Sequence, residues 1–185
     1  SFSFVWWRKS WQNGSMMEKI VRNYLEIKSL DELSEVKKPN ESYYLEIVNP
    51  SDYQLNKFFY KQIGKSYKWV DRLEWKDNNW IEYVSNSNVF TFILKKKADI
   101  AGFFELIYHK DKLEIEIAYF GLLDEYIGEK LGGYMLSEAI KKSFSFNIKR
   151  VWVHTCSLDH INALQNYLSR GMKIYNKETL NIKSA

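Results

Sequence analysis

The chain is 185 residues long, 45% hydrophobic and 17% aromatic, which suits one domain with a sizeable core. Its 27 basic and 23 acidic residues leave a net charge of +4, a mild excess that mixed lysine and glutamate faces explain without a nucleic-acid partner. The single cysteine, Cys156, excludes an internal disulfide and fits a reducing, cytoplasmic setting; with His109, His154 and His160 it lacks paired zinc spacing, so no metal is expected.

Ser1 to Ser15 carries three tryptophans, two phenylalanines and no acid, unlike the rest of the chain. Its apolar run, Phe2 to Trp7, is far shorter than the ~20 residues of a membrane span, and no basic region precedes it as in a signal peptide. Two readings stand for residues 1–16: an appended artefact ahead of a natural start at Met16-Met17, or an aromatic arm that packs on the domain or a partner. Residues 17–185 read as a single domain.

Within that domain, strand and helix signals alternate. Ile20 to Ile27 and Tyr43 to Val48 read as strands, the second stopped by Asn49-Pro50-Ser51. Ser51 with Gln54 forms a capping-box pattern, and Leu55, Phe58, Phe59 and Ile63 share one face of a helix expected to end at Gly64. An aromatic and charged connector, Tyr67 to Trp75, leads to a second helix capped by Asp77, with Trp80, Ile81 and Val84 inward. Val89 to Leu94, Ile100 to Tyr108 and Leu113 to Phe120 read as an antiparallel meander. In its last strand, Leu113, Ile115, Ile117 and Tyr119 face one way and Glu114, Glu116, Ala118 and Phe120 the other. A helix over about Glu129 to Phe146 and a strand at Val151 complete a βαβ unit, so those two strands should be parallel. A last helix, about Asp159 to Arg170, buries Ile161, Leu164 and Leu168 and stops at Gly171. A short hairpin, Met172 to Tyr175 with Thr179 to Ile182, closes the chain.

The chemistry concentrates between the meander and the last helix. In Ile127-Gly128-Glu129-Lys130-Leu131-Gly132-Gly133, small residues let backbone N–H groups approach a ligand, and the following helix adds about half a positive charge at its start. Pyrophosphate is the natural ligand of such a turn. The pattern contains neither GxGxxG nor a Walker sequence, and glycines at a helix start also serve simply as caps.

Several motifs in order extend that reading. Ile117-Ala118-Tyr119-Phe120-Gly121-Leu122 is followed by Tyr126-Ile127-Gly128. Downstream come Arg150-Val151-Trp152-Val153-His154-Thr155-Cys156, Leu158-Asp159-His160, Asn162-Ala163-Leu164, Tyr167 and Arg170-Gly171-Met172. From Lys19 to Ile182 the chain resembles the GNAT superfamily of acyl-CoA N-acyltransferases. It is similar to a bacterial subgroup that shares the Tyr-Phe-Gly-Leu and Val-His-Thr-Cys stretches and a Trp-Val-Asp-Arg connector. The resemblance implies an α/β (α+β) fold. A mixed, mostly antiparallel sheet of about six or seven strands would be flanked by about four helices, with a parallel βαβ pair splayed around the CoA arm.

It also implies an acetyl-CoA site. Backbone amides near Leu122 and Leu123 would hold the pantetheine, the amides of Ile127, Gly128, Glu129, Lys130, Leu131, Gly132 and Gly133 the pyrophosphate, and Asn162 a further CoA contact. The loop departs from the family's Gln/Arg-x-x-Gly-x-Gly/Ala pattern at Ile127 and Lys130. Backbone donors do not need that side-chain identity; Lys130 adds positive charge but brings a Cβ into the loop, and Glu129 suits the site only if it points outward.

Transfer to an amine needs a neutral nucleophile and a proton for the departing thiolate. An alkyl amine of pKa ~10 is mostly protonated at neutral pH, so a base is useful. Glu116 is the candidate base, with Glu105 and Glu114 as rivals, and the alternative is a solvated strand glutamate. By resemblance, Tyr167 is the acid for the CoA sulfur, and the alternative is a packed helix tyrosine. Direct transfer needs no acyl-enzyme, which argues against Cys156 as a nucleophile. The resemblance also implies that the acceptor meets the connector, where Trp69, Asp71, Arg72 and Trp75 offer stacking and charge, with Glu105, Tyr119, Phe120 and His154 as further candidates. Arg72 would suit a carboxylate. The expected activity is acetyl transfer to a primary amine, an amino acid or other small amine or a peptide amine, by a monomer or homodimer. A non-catalytic acyl-CoA-binding or protein-interaction module is the other reading.

Overall fold

The computed structural model describes residues 9–12 and 15–183. Residues 1–8, 13 and 14, which make up most of the expected aromatic tail, lie outside the described residues. Eight strands form one sheet: β1 (Lys9–Gln12), β2 (Ser15–Ile27), β3 (Tyr43–Ile47), β4 (Val89–Lys96), β5 (Asp99–His109), β6 (Glu114–Leu122), β7 (Arg150–Cys156) and β8 (Lys173–Lys183). Their order is β1-β2-β7-β6-β5-β4-β3, with β8 on the other edge of β2. Every neighbouring pair is antiparallel except β6 and β7. Four helices flank the sheet: α1 (Tyr53–Tyr67), α2 (Asp77–Ser85), α3 (Leu131–Ser143) and α4 (Ala163–Ser169). This is the mixed α/β fold expected from the resemblance, with one more strand than the upper count.

One core lies between the sheet and the α3–α4 face, where Phe104, Leu106, Ile115, Ile117, Met135 and Val153 are buried. A second, under α1, contains Phe59, Ile63, Ile93 and Phe103, with Phe59 and Phe103 stacked at 4.7 Å.

Several local expectations are corrected. Asp52, not Ser51, caps α1: its carboxylate accepts from the Gln54 N–H at 3.1 Å. Gly64 does not end the helix, which runs on to Tyr67 and stops at Lys68 in the left-handed region (φ 54°). A Cβ at Gly64 would lie 2.8 Å from the Trp69 Cβ, so this glycine lets the connector fold back onto the helix. Phe58 and Ile81 are exposed, because Asn56 and Tyr60 turn the buried face of α1 away from Phe58 and the buried face of α2 is only Trp80 and Val84. Asp77 follows the cap position, Lys76, and pairs with Lys57 at 3.0 Å.

In β6 the simple alternation breaks. Glu105 pairs with Tyr119 but Leu106 pairs with Ile117, leaving Ala118 as a bulge. The extra residue shifts the phase of the strand, so Phe120 joins Ile117 against the α3 side while Tyr119 packs on the α1 side. The last helix starts only at Ala163, which leaves Ile161 89% exposed and makes Tyr167 its buried residue. The expected closing hairpin is one strand. β8 pairs along β2 from Lys183↔Met17 to Lys173↔Glu26, and the polar residues near Asn176 are absorbed by an irregularity in that ladder instead of a turn.

Candidate active site

The parallel ladder between β6 and β7 has three pairs, Glu114↔Arg150, Ile115↔Val151 and Glu116↔Trp152, although both strands continue. Beyond it, β7 stays on β2 as far as Cys156↔Arg22 and β6 stays on β5 as far as Leu122↔Gly102. The two diverge and open a cavity of about 840 Å³. The Leu123 N–H is spent on the Ala101 carbonyl at 2.9 Å, so it is not the free donor expected. Amide directions alternate along a strand, so the neighbouring Leu122 and Phe120 N–H groups point into the gap.

One end of the cavity is the loop before α3. Gly128 (φ 93°) and Lys130 (φ 61°) both adopt the left-handed region, which for lysine costs about 1–2 kcal/mol. This bend brings the first-turn N–H groups of α3 to the cavity, lined here by Ile127, Gly128, Lys130, Leu131, Gly132 and Gly133. Glu129 turns away: its carboxylate accepts from the Tyr43 hydroxyl at 2.8 Å on the far side of the loop. From α4, Asn166 Nδ2 donates to the Gly132 carbonyl at 3.0 Å, and a Cβ at Gly133 would collide with the Arg170 guanidinium. Arg170 Nε is buried with no hydrogen-bond partner among the described residues, and burial pulls this guanidinium below its ordinary value. Free amides, a helix start and an under-satisfied cation fit a diphosphate. Arg170 was missed in the sequence because only the close approach of α4 to Gly133 brings it to α3.

At the middle of the cavity stand Phe120 and Tyr167, ring centroids 6.2 Å apart. Burial pushes the Tyr167 phenol well above its ordinary value, with Asp159 adding to the effect, so it stays protonated. Asn162 also lines the cavity; its side chain makes no cap hydrogen bond to α4.

The other end is walled by Trp69, Asp71, Trp75, Tyr119, Glu116 and His154. Trp69 and Tyr119 meet edge to face at 4.7 Å, and the Tyr119 hydroxyl donates to Asp71 at 3.1 Å. Glu116 lies 3.0 Å from His109 Nε2, and His109 is about a third exposed. Burial and then Arg22 hold the His154 imidazole below its ordinary value. Burial and Asp159 push the Cys156 thiol up, the opposite of nucleophile activation. Asp159 ties this wall together, accepting from Trp69 Nε1 (3.2 Å), Thr155 Oγ1 (2.6 Å) and the Cys156 N–H (2.9 Å).

Two expected acceptor residues are committed elsewhere. Glu105 is fully buried and does not line the cavity. It receives Arg72 through Nη2 and Nη1 (2.9 and 3.2 Å), Asn56 Nδ2 (2.9 Å) and the Tyr83 hydroxyl (2.7 Å). Arg72 borders the cavity, but its charge is neutralised by Glu105 and enclosed by the Trp75, Tyr83 and Tyr119 rings at 4.7, 4.1 and 4.3 Å. Burial alone would lower that guanidinium; Glu105 outweighs it and holds it above its ordinary value. Glu114, the other rival base, is taken by Arg150 at 3.0 Å. Among the described residues no cluster of His, Cys, Asp and Glu is placed to hold a metal, and no helix is long and apolar enough to cross a membrane.

The fold is shared with solved acetyltransferase structures. A GCN5-related N-acetyltransferase from Sphaerobacter thermophilus aligns over 96% of this chain and 53% of its own length, with TM-score 0.69 and 12% identity. One from Kribbella flavida aligns over 92% of this chain and 60% of its own, with TM-score 0.64 and 12% identity. This chain therefore spans little more than half the length of those proteins. An aminoglycoside acetyltransferase from an uncultured soil metagenomic sample aligns over 72% of this chain and 90% of its own, with TM-score 0.59 and 12% identity. No curated protein sequence matches. The model of the acetyltransferase (GNAT) family matches residues 53–172, a span running from α1 through both diverging strands to the end of α4, and the chain belongs to that family.

Proposed function

We propose that the protein transfers an acetyl group from acetyl-CoA directly to a primary amine within a ternary complex. The observation that carries this reading is the continuous cavity opened where β6 and β7 part. It meets the α3 start at one end and the aromatic and acidic wall at the other, with Tyr167 between them. The donor supplies a thioester whose carbonyl carbon is attacked by the amine nitrogen, forming C–N and breaking C–S.

The α3 amides, Lys130 and Arg170 bind the diphosphate, and the Leu122 and Phe120 amides orient the arm along the gap. Glu116 accepts the proton lost by the amine, through a water where the distance requires it, and passes it toward His109, which reaches solvent. Tyr167 donates its proton to the departing thiolate. Burial keeps this phenol protonated, and the same burial raises the proton affinity of a thiolate beside it.

Calorimetric titration with acetyl-CoA, followed by thiol-release assays over small amines and peptides, tests the reading. Saturable binding with amine-dependent thiol release is expected. Absence of binding at millimolar acetyl-CoA, or binding with no thiol release for any amine, refutes it.

A further inference from the structure

The acceptor end of the cavity carries one cation, Arg22, and one acid, Asp71, that form no ion pair among the described residues. Arg22 stands on β2 opposite Cys156, so its side chain leaves the sheet on the face shared with Cys156 and His154 and lines the cavity. Its Nε is buried and, among the described residues, has no hydrogen-bond partner; burial pulls the guanidinium down, and the neighbouring Tyr24 hydroxyl outweighs that and holds it above its ordinary value. Glu178, directly opposite Arg22 on β8, makes no ion pair with it among the described residues, and the other neighbouring acids are engaged elsewhere: Glu26 on Arg150, Glu116 against His109, and Asp159 on Trp69, Thr155 and the Cys156 amide. Asp71, exposed on the connector and lining the same end, accepts only from the neutral Tyr119 hydroxyl among the described residues. Asp71 is near enough to contribute to the fields at both Arg22 and His154 without pairing with either.

A guanidinium drawn partly out of water with an unsatisfied N–H is costly, and a carboxylate matches its planar fork. A carboxylate with only a phenol partner attracts an ammonium. The Trp69 and Tyr119 rings, which line the same cavity beside Asp71, give an apolar and π-rich surface for whatever joins the two charges.

We propose that the acceptor is a zwitterion of the amino-acid class, its carboxylate held by Arg22 and its amine drawn to the wall formed by Asp71 and Glu116. This rests on the transferase reading above and assigns its substrate. It also replaces Arg72, whose charge belongs to Glu105, as the carboxylate-binding group. A polycationic acceptor would meet Arg22 as a like charge.

The test is thiol release from acetyl-CoA with matched pairs: phenylalanine against phenethylamine and phenylalaninamide, and lysine against cadaverine. In the wild type, kcat/KM for the amino acid should exceed that of its decarboxylated partner by about 10²-fold, the effect of one charge-assisted fork. In Arg22→Gln that ratio should collapse to within about threefold, through a raised KM for the amino acid. Arg22→Lys should retain part of the preference, because a point charge remains without the fork. Calorimetric acetyl-CoA affinity reports whether each variant is folded; if Arg22→Gln fails that check, the ratio is read in Arg22→Lys, where it should fall about tenfold. Equal kcat/KM for both members of each pair in the wild type overturns the proposal while leaving the transferase reading intact. So does a full ratio retained in the folded Arg22 variants. A wild-type protein that does not bind acetyl-CoA removes both.

Discussion

Replacing Arg72 by methionine removes a cation whose charge is neutralised inside the fold, and the arrangement around it sets the size of the effect. Glu105, fully buried, loses both guanidinium contacts and keeps Asn56 and Tyr83. Breaking one side of a buried ion pair costs about 3–5 kcal/mol, and the two surviving hydrogen bonds place this case near the lower figure. For a chain of this size, a loss of about 3 kcal/mol corresponds to a drop of about 6–12 °C in Tm. Substituting Glu105→Gln in the same chain removes the stranded charge, so Arg72→Met/Glu105→Gln should recover at least about half of the loss, with a coupling energy above ~1.5 kcal/mol. Urea denaturation followed by far-UV circular dichroism measures all three variants. The reasoning is refuted if Arg72→Met costs less than about 1 kcal/mol while raising the acceptor KM, because Arg72 would then be a ligand group and not a structural one.

Tyr167→Phe should lower kcat by about 10²-fold with acetyl-CoA affinity unchanged, read by steady-state kinetics beside calorimetry; an unaltered kcat assigns Tyr167 to packing. Lys130→Gly relieves a left-handed lysine and should raise stability by about 1 kcal/mol in denaturant titration. The lost ammonium should at the same time weaken acetyl-CoA binding several-fold. His154 has a folded value below the ordinary 6.5, so the unfolded chain binds more protons as pH falls from about 6.5 toward that folded value. Its contribution to stability is therefore complete above pH 6.5 and lost on acidification, and His154→Asn should flatten the fall in Tm between pH 7 and 5.

Much of the fold was readable in the chain because it is encoded locally. The β-branched and aromatic runs Val89 to Leu94, Ile100 to Tyr108 and Leu113 to Phe120, joined by short polar turns, marked a meander, and the helical recurrence of Leu131, Met135, Ala139 and Ile140 marked α3; both are present. The glycine-bearing turn and the parallel βαβ pair were also readable, since order and spacing carry them, whereas the splay of that pair came from the resemblance alone. What misled was equally local. The alternation through Tyr119 ignores a bulge at Ala118 that exists only because β5 and β6 pair out of step. The polar stretch near Asn176 looks like a turn until β2 offers a long free edge.

The ownership of charges was decided by tertiary contacts alone. Arg72 reads as a substrate ligand from its place among tryptophans, yet Glu105, 33 residues away, claims it. Arg22 and Arg170 look like ordinary strand and helix cations until strand pairing sets one beside Cys156 and helix packing sets the other against Gly133. Periodicity, capping and turn chemistry act over a few residues and leave their mark in the order of the chain. Burial, ion pairing and the direction of a strand after a bulge depend on partners distant in sequence, and only the folded arrangement says which cation is consumed by the protein and which is left for a ligand.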